Sequence, residues 1–447
     1  MNNKRSLLPS LDRFRTIIRI AVPIIGGMLS QNLLNFVDTA MIGNLGDPAL
    51  AAVGVAGFLF FWASSIQYGL AEATQVLVAR YFGAQDPQRQ YQSLYNGLVG
   101  CTLLAIVISG LGWYLAPILF QVMSPDPMVQ SLGVTYLRWM ILGLVPFAIN
   151  GCFRSYWNGI NQPMRFTRIL VVTHICNIFL NWLFIFGHWG MPALGVKGAA
   201  LGSALSYGLG SVLYLLSAHA WGVLSQLRKD AKFELELLLT QIKLATPSAT
   251  RQWWFTAGLL VFFWVAGQIG VQAAAITQVL IVLAFLVILP GVGFGVASLS
   301  LVSQALGRKD PQDAQRWAYE VALIAGLITI VVGGIASMYP YAILGLFIHD
   351  PETLEMAIIP FQLDCLTIWV EVIGLVILQS LIGVGRAFTV MKVSLLCQWL
   401  IFVPIGYILG VIYHVGITWV LMAWISHMMV ATLIYIWLWV KRGPASI

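Results

Sequence analysis

Charged residues are scarce in this chain. Asp, Glu, Lys and Arg make up only 9% of its 447 residues, whereas a soluble domain usually carries about 25%. Hydrophobic residues make up 59%. A chain with so few charges cannot cover itself with a polar surface in water. The composition therefore excludes an ordinary soluble domain and predicts that lipid is the solvent for much of the protein.

Several chemical motifs are also missing. The sequence has no Walker A loop, so ATP is not expected to be the energy source. It has no HExxH motif, and its five cysteines lie singly in apolar segments without a CxxC pair. A membrane-embedded enzyme would need clustered catalytic or metal-binding groups, and the spacing provides none. We therefore expect no catalytic residues, no metal site and no cofactor, and a function other than that of an enzyme.

Long apolar runs are abundant instead. Runs of about 20 residues or more recur along the whole chain, and each is long enough to cross a bilayer as a helix. The sequence thus predicts an all-α integral membrane protein with twelve transmembrane helices. The predicted helices lie near residues 17–42, 49–79, 91–117, 129–156, 165–187, 194–218, 241–266, 272–304, 315–339, 355–383, 388–412 and 417–440.

The basic residues predict the orientation of these helices. Of the 24 Lys and Arg residues, all except Arg138 and Lys197 fall on one side of the predicted topology. Positive residues favour the cytoplasmic side, so both termini are expected in the cytoplasm of a cell inner (plasma) membrane. Orientation also explains the net charge of +7 without a nucleic-acid partner. Lys4 and Arg5 lead directly into the first helix, so no cleaved signal peptide is expected.

The two halves of the sequence repeat in a constant register, in which Pro23 corresponds to Pro247. The same offset matches Gly83 with Gly307, Gly159 with Gly383, Asp86-Pro87 with Asp310-Pro311, and Asp126-Pro127 with Asp350-Pro351. Six helices is an even number, so both halves have the same orientation in the membrane. The repeat predicts two pseudo-symmetric six-helix lobes at 1–218 and 241–447, joined by a cytoplasmic linker at 219–240.

Three segments carry a more specific signature. They run from Ala21-Val22-Pro23 to Asp38-Thr39-Ala40-Met41-Ile42-Gly43, from Val78 to Asp86, and from Gly195 to Ala200. Together they resemble the multidrug and toxic compound extrusion (MATE) transporters over essentially the whole chain. The predicted seventh helix contains Arg251 and Gln252 but no carboxylate, which favours the DinF-like branch over the NorM-like branch.

The resemblance implies a monomeric antiporter in the lipid bilayer. It would export small amphiphilic, often cationic, drugs by alternating access, with H⁺ or Na⁺ as the coupling ion. The nearest alternative is a flippase for a lipid-linked oligosaccharide. Such a phosphorylated substrate would favour a cleft with several basic residues, and only Arg138 and Arg251 are candidates.

Asp38 is the main candidate for ion coupling. It lies five residues before Gly43, so roughly 7 Å inside the outer end of the first helix. A lone carboxylate in so apolar a helix is costly and indicates function. Asn177, Asn181 and Ser203 are predicted at a similar depth, and the resemblance implies the same four residues, with Pro23 as the kink of the first helix. The alternative is ordinary hydrogen bonding between helices.

Four further polar residues are candidates for a substrate cavity. Gln31 and Asn35 precede Asp38 on the same helical face. Asp364 and Glu371 are seven residues apart on the predicted tenth helix and therefore share a face. These two carboxylates are predicted either to line the cavity or to pair with Arg138 or Arg251.

Overall fold

The computed structural model describes residues 9–230 and 232–444. Every regular element in these two ranges is a helix. The predicted basic residues Lys4 and Arg5 and both chain ends lie outside the described residues.

The α-helices are numbered α1 to α16 in chain order. They are α1 (Leu11–Gly43), α2 (Asp47–Gly83), α3 (Pro87–Met123), α4 (Pro127–Leu142), α5 (Leu144–Gly159), α6 (Pro163–Phe186), α7 (Val196–Ala220), α8 (Val223–Asp230), α9 (Leu235–Ile269), α10 (Val271–Gly307), α11 (Pro311–Met338), α12 (Pro340–Leu344), α13 (Pro351–Gly383), α14 (Ala387–Cys397), α15 (Val403–Tyr407) and α16 (Ile417–Arg442). Two π-helical turns, Gln398–Phe402 and Ile408–Ile412, flank α15.

The predicted all-α membrane fold is confirmed by these helices. In the described part of the chain, ten helical spans are long and apolar enough to cross a membrane, and the bent pair of α4 and α5 makes eleven. The remaining predicted segment, 241–266, lies inside α9, a helix of 35 residues. A helix longer than the hydrocarbon layer is thick either tilts in the bilayer or extends beyond it.

The helix predicted at 129–156 is a bent span. The structure divides this segment into α4 and α5, which meet at Gly143 with a bend of 44°. Pro146 explains the break, because it has no N–H to donate to the carbonyl of Leu142. A side chain at Gly143 would approach Ala204 of α7 to about 3.0 Å, so the bend also brings two backbones close together.

The helix ends follow the predicted repeat. Helices α2 and α10 each have 37 residues, and both their first and their last residues correspond in the register that matches Pro23 with Pro247. Asp86 caps α3 by accepting a hydrogen bond from the Arg89 N–H at 3.0 Å, and Asp310 caps α11 by accepting one from the Asp313 N–H at 2.9 Å. The same local chemistry therefore starts equivalent helices in both halves.

The residues separate into two contact units. The amino-terminal unit is Gly26–Ala249, and the carboxyl-terminal unit combines the described residues up to Ile25 with those from Thr250 onwards. Helix α1 belongs to the carboxyl-terminal unit as far as Ile25, which is two residues after its internal Pro23, and to the amino-terminal unit beyond it. Helix α9 changes in the opposite sense after Ala249, which is two residues after its internal Pro247. The boundaries between the two units lie within α1 and α9 and not in the segment 219–240. The predicted six-helix lobes and the cytoplasmic linker therefore remain a prediction.

Ion pairs anchor the first part of each of these helices. In the carboxyl-terminal unit, Arg13 of α1 pairs with Asp313 at 2.6 Å and lies 3.5 Å from the ring centre of Trp317. In the amino-terminal unit, Glu234 immediately before α9 pairs with Arg89 at 2.7 Å. Arg89 and Asp313 hold equivalent positions in the repeat, so the two halves use opposite charges at the same place.

Candidate functional site

Three helices of the amino-terminal unit bring the four predicted ion-coupling residues together. The Asn181 amide of α6 donates to Asp38 Oδ1 of α1 at 2.9 Å and to Asn177 Oδ1 at 3.1 Å. Asn177 in turn donates to Ser203 Oγ of α7 at 3.2 Å. Both asparagines and Ser203 are buried, while Asp38 is partly exposed. The result is one continuous hydrogen-bonded cluster around a single carboxylate; its role in transport remains a prediction.

Asn181 is the centre of this cluster. Its two amide hydrogens serve Asp38 and Asn177, but its own Oδ1 is buried and has no hydrogen-bond partner among the described residues. This oxygen faces Gly202 of α7, where any side chain would clash with it. A buried acceptor without a partner is costly, so this amide has a reason to change its orientation when its neighbours change.

Two tyrosines also lie near Asp38. Tyr136 of α4 is buried and Tyr207 of α7 is half-buried, and both are within electrostatic range of the Asp38 carboxylate. Sequence analysis did not select them, because a tyrosine in an apolar helix is usually a packing residue. Their position shows that α4, as well as α1, α6 and α7, shapes the site.

A histidine that sequence analysis missed lies on the same face of α6. His174 is buried, with Nδ1 2.7 Å from Ser30 Oγ and Nε2 3.1 Å from Gln31 Oε1. Gln31 also donates to Asn35 Oδ1 at 3.1 Å, so both of these predicted residues lie in this second hydrogen-bonded group. Its position in the sequence could have identified it, since His174 precedes Asn177 by three residues and therefore lies on the same face of the helix.

The carboxyl-terminal unit holds the other two predicted carboxylates. Asp364 and Glu371 of α13 are half-buried and line a small cleft together with Met428 and Met429 of α16. Within this unit, Arg251 makes no ion pair with either carboxylate among the described residues, and its Nε is buried without a hydrogen-bond partner. The cleft is therefore acidic and apolar.

Arg138 has partners of its own in the amino-terminal unit. Its Nε donates to the carbonyl oxygen of Trp113 at 3.2 Å, and its guanidinium lies 5.5 Å from the centre of the same indole ring. Because Trp113 belongs to α3, these contacts hold α4 against α3. They stabilise the Arg138 charge within the protein, so an anionic substrate is not needed to explain this residue.

Comparisons with known proteins agree with this architecture. A family model described as MatE matches residues 23–183 and 247–408, two segments that begin at the equivalent prolines Pro23 and Pro247. A probable multidrug resistance protein NorM of Pseudomonas aeruginosa is 27% identical over 414 residues, covering 90% of this chain and 84% of the relative. The multidrug resistance protein NorM of Vibrio vulnificus is 26% identical over 411 residues, covering 88% and 87%.

The fold is also that of solved MATE structures. A crystal structure of a MATE protein in its straight conformation aligns with a TM-score of 0.89 at 21% identity, covering 100% of this chain and 99% of that one. The curated relatives carry the NorM name, and the assignment to the DinF-like branch remains a prediction from the missing carboxylate near Arg251. Because the matched family model covers more than half of the sequence, this chain belongs to the MatE family of multi-span membrane transporters.

Proposed function

We propose that this protein is a proton-coupled antiporter that exports amphiphilic, often cationic, drugs by alternating access. Sodium is the alternative coupling ion. We further propose that it acts as a monomer in the inner (plasma) membrane with both termini in the cytoplasm. The bias of basic residues towards one side supports that orientation. The names of the NorM relatives support multidrug substrates.

One observation carries the proposal: Asp38 is a carboxylate inside an apolar helix, and among the described residues its side chain accepts one hydrogen bond, from the Asn181 amide. A carboxylate removed from water is stable only when donors or a cation compensate its charge. One donor is a weak compensation, so the group gains from binding either a proton or a cationic molecule. The same carboxylate can thus hold the ion and the drug in turn.

Protonation of Asp38 changes its hydrogen-bonding needs. The ionised group only accepts hydrogen bonds, whereas the protonated group also has an O–H to donate. Asn181 Oδ1 is the buried acceptor beside it that has no partner among the described residues. Rotation of the Asn181 amide by half a turn would bring this oxygen to the Asp38 O–H and would end the donation from Nδ2. We infer that the orientation of this amide depends on the charge of Asp38, and that its rotation changes the hydrogen bonds of Asn177 and Ser203.

Competition at one carboxylate gives antiport. A bound drug cation and a bound proton each neutralise Asp38, and holding both would leave an extra positive charge in an apolar setting. An inward proton gradient then drives export, because each pH unit is worth about 1.4 kcal/mol per proton. A membrane potential of 100 mV adds about 2.3 kcal/mol for each net positive charge that moves inward, so the exchange of one proton for one monovalent cation is driven by the pH gradient alone.

The test is transport in proteoliposomes that contain only this protein. We expect an imposed proton gradient to drive accumulation of a fluorescent cationic dye against its concentration gradient, and a protonophore to abolish it. A sodium gradient at constant pH serves as the matched control and should drive none. Export driven by sodium alone would replace the proton by sodium in the proposal, and export driven by neither gradient would refute cation coupling.

A further inference from the structure

Arg251 is a charged residue that the mechanism above does not use. It lies near the middle of α9, roughly 24 Å along the helix axis from Leu235, and no other charged residue follows it in this helix. The preceding charged residue, Lys243, is roughly 12 Å nearer the start of α9. A charged side chain so far inside a predicted membrane span is costly, and such residues usually mark a pathway for ions or substrates.

The guanidinium group of Arg251 has no hydrogen bond or ion pair among the residues that the structure describes. Its Nε is buried, whereas the two terminal Nη nitrogens, which also lack a partner, are not buried. A guanidinium offers only donors and keeps its charge, so the ligand that it binds best is an anion. The accessible end of this side chain is therefore an unoccupied set of anion-binding donors.

No carboxylate of the carboxyl-terminal unit forms an ion pair with Arg251 in the described part of the chain. Asp364 and Glu371 line their cleft beside Met428 of α16, whereas Arg251 is near Tyr435, seven residues further along the same helix. That spacing is roughly 10 Å along the helix axis. The other carboxylates of this unit lie at or near the starts of α1, α11 and α13. The charge of Arg251 is thus left for a ligand to neutralise.

Hydroxyl groups and indole rings lie beside this part of α9. Tyr435 is within electrostatic range of Arg251, and its hydroxyl oxygen lies 2.6 Å from Ser394 Oγ of α14. That hydrogen bond uses one of the two O–H groups, so the other remains to donate to a ligand. Trp254, which is exposed and follows Arg251 by three residues, meets Trp399 edge to face with ring centres 5.1 Å apart. A positive charge, a hydroxyl donor and an exposed indole together suit an aromatic molecule that carries a negative group.

We propose that Arg251 and the hydroxyl pair of Tyr435 and Ser394 form an anion subsite, which binds the carboxylate of an amphoteric aromatic substrate. This inference rests on the proposed function, since the bound molecule is taken to be one that is exported. Because Nε is buried, the guanidinium receives the carboxylate end-on, through one N–H of each Nη. The remaining O–H of the hydroxyl pair supplies a third donor. The subsite thereby extends the substrate range from cations to zwitterions.

A matched pair of dyes tests this proposal. Rhodamine B carries a free carboxylate at neutral pH, and its ethyl ester is the same cationic ring system without that negative charge. Binding to the purified full-length protein is measured by fluorescence anisotropy in phosphatidylcholine nanodiscs, with protein-free nanodiscs as the blank. Arg251→Gln should weaken the binding of rhodamine B at least about tenfold, the usual value of hydrogen bonds between charged groups. The ester should bind the variant at least as tightly as the wild type, because a positive charge has been removed.

Three further variants make the result specific. Lys441→Gln removes an exposed positive charge at the end of α16 in the same unit, and it should leave the affinities of both dyes unchanged. Arg251→Lys keeps the charge but cannot form two parallel hydrogen bonds, so it should recover only part of the affinity for rhodamine B. Where Arg251→Gln does not fold, Arg251→Met, which keeps an apolar stem without a charge, takes its place.

A second set of nanodiscs distinguishes a substrate carboxylate from a lipid phosphate, which offers the same charged oxygens. Phosphatidylglycerol added to the nanodiscs should not displace rhodamine B from the wild-type protein. Displacement of rhodamine B but not of its ester would assign Arg251 to a lipid headgroup and overturn the proposal.

The remaining outcomes separate this inference from the proposed function. Unchanged binding of rhodamine B to a folded Arg251→Gln or Arg251→Met protein would refute the subsite, and so would an equal loss of affinity for both dyes. Export of the ethyl ester by wild-type proteoliposomes tests proton coupling independently. If a proton gradient drives none, the proposed coupling fails, while the ratio of the two affinities still decides the role of Arg251.

Discussion

Asp38 and its repeat position, Phe262, have opposite surroundings. Asp38 lies in a hydrogen-bonded cluster of amides and a hydroxyl on α1, α6 and α7. Phe262 of α9 stacks on Trp424 with ring centres 5.3 Å apart and meets the edge of Phe402 at 5.6 Å. The helix ends match in register between the repeats, yet these two interiors share no chemistry. The scaffold can therefore be filled with aromatic rings, and the polar cluster is not needed to build it.

The largest effect is expected from removing the charge of Asp38. Asp38→Asn keeps the size of the side chain and mimics its protonated state, so gradient-driven export should fall to the rate of empty liposomes while membrane insertion is retained. The rate of export is measured as dye accumulation in liposomes under an imposed proton gradient. The matched variants are Asp364→Asn and Glu371→Gln in the carboxyl-terminal cleft, which should keep proton-driven export. If Asp38→Asn exports at the wild-type rate, coupling must be sought at Asp364 and Glu371 instead.

A second large effect is expected from stiffening α1. Pro23 cannot donate to the carbonyl of Arg19, so the helix can bend there at low cost. The residues before this point are anchored through Arg13 in one unit, and those from Gly26 onwards belong to the other. Pro23→Ala restores the missing hydrogen bond and should slow export several-fold while leaving most of the dye affinity intact.

Pro247→Ala provides the comparison for that variant. Pro247 holds the equivalent place in α9, but the second part of α9 carries Phe262 where α1 carries Asp38. We expect its export rate to fall less than that of Pro23→Ala in the same liposome assay. Equal losses would mean that bending at both helices serves the transport cycle equally, without a special connection to Asp38.

A smaller effect is expected where α7 touches Asn181. In Gly202→Ala, the new methyl group would press on Asn181 Oδ1 and displace the amide that binds Asp38. A hydrogen bond to a charged group is worth about 1.5–3 kcal/mol, so export should fall roughly tenfold. Gly208→Ala on the same helix is the control, because a side chain there meets no atom of the described residues within 4 Å. Equal rates for the two variants would show that the Asn181 orientation does not matter.

The sequence allowed much of this architecture to be predicted. Apolar runs predict helices because backbone groups in lipid must bond within their own segment, and Asp-Pro pairs predict helix starts through capping. The cluster of Asp38, Asn177, Asn181 and Ser203 followed from equal depth and helical spacing. These are local properties, and they survive folding because helices in a membrane are long and regular.

Other features depend on contacts between helices and could not be read from spacing. The break at Gly143 is caused by Pro146, three residues later. Counting apolar residues along the sequence does not detect such a break. The Asn181 oxygen, which has no partner among the residues that the structure describes, lies against Gly202 of another helix. His174 has the spacing of a site residue, but a buried histidine acquires a role only through its partners, Ser30 and Gln31.

The smallest effect on transport is expected at Phe262, and it sharpens the comparison most. If the aromatic cluster only fills space, Phe262→Leu should lower the free energy of unfolding by about 1 kcal/mol, as a hydrophobic replacement of similar volume usually does. The dependence of export on the proton gradient should stay that of the wild type, because no titratable group is removed. Thermal unfolding in detergent measures the first quantity, and dye export at several imposed gradients measures the second. A changed gradient dependence in a protein of near wild-type stability would show that the carboxyl-terminal unit takes part in coupling through this position. The polar and aromatic interiors would then be two halves of one mechanism rather than a site and its scaffold.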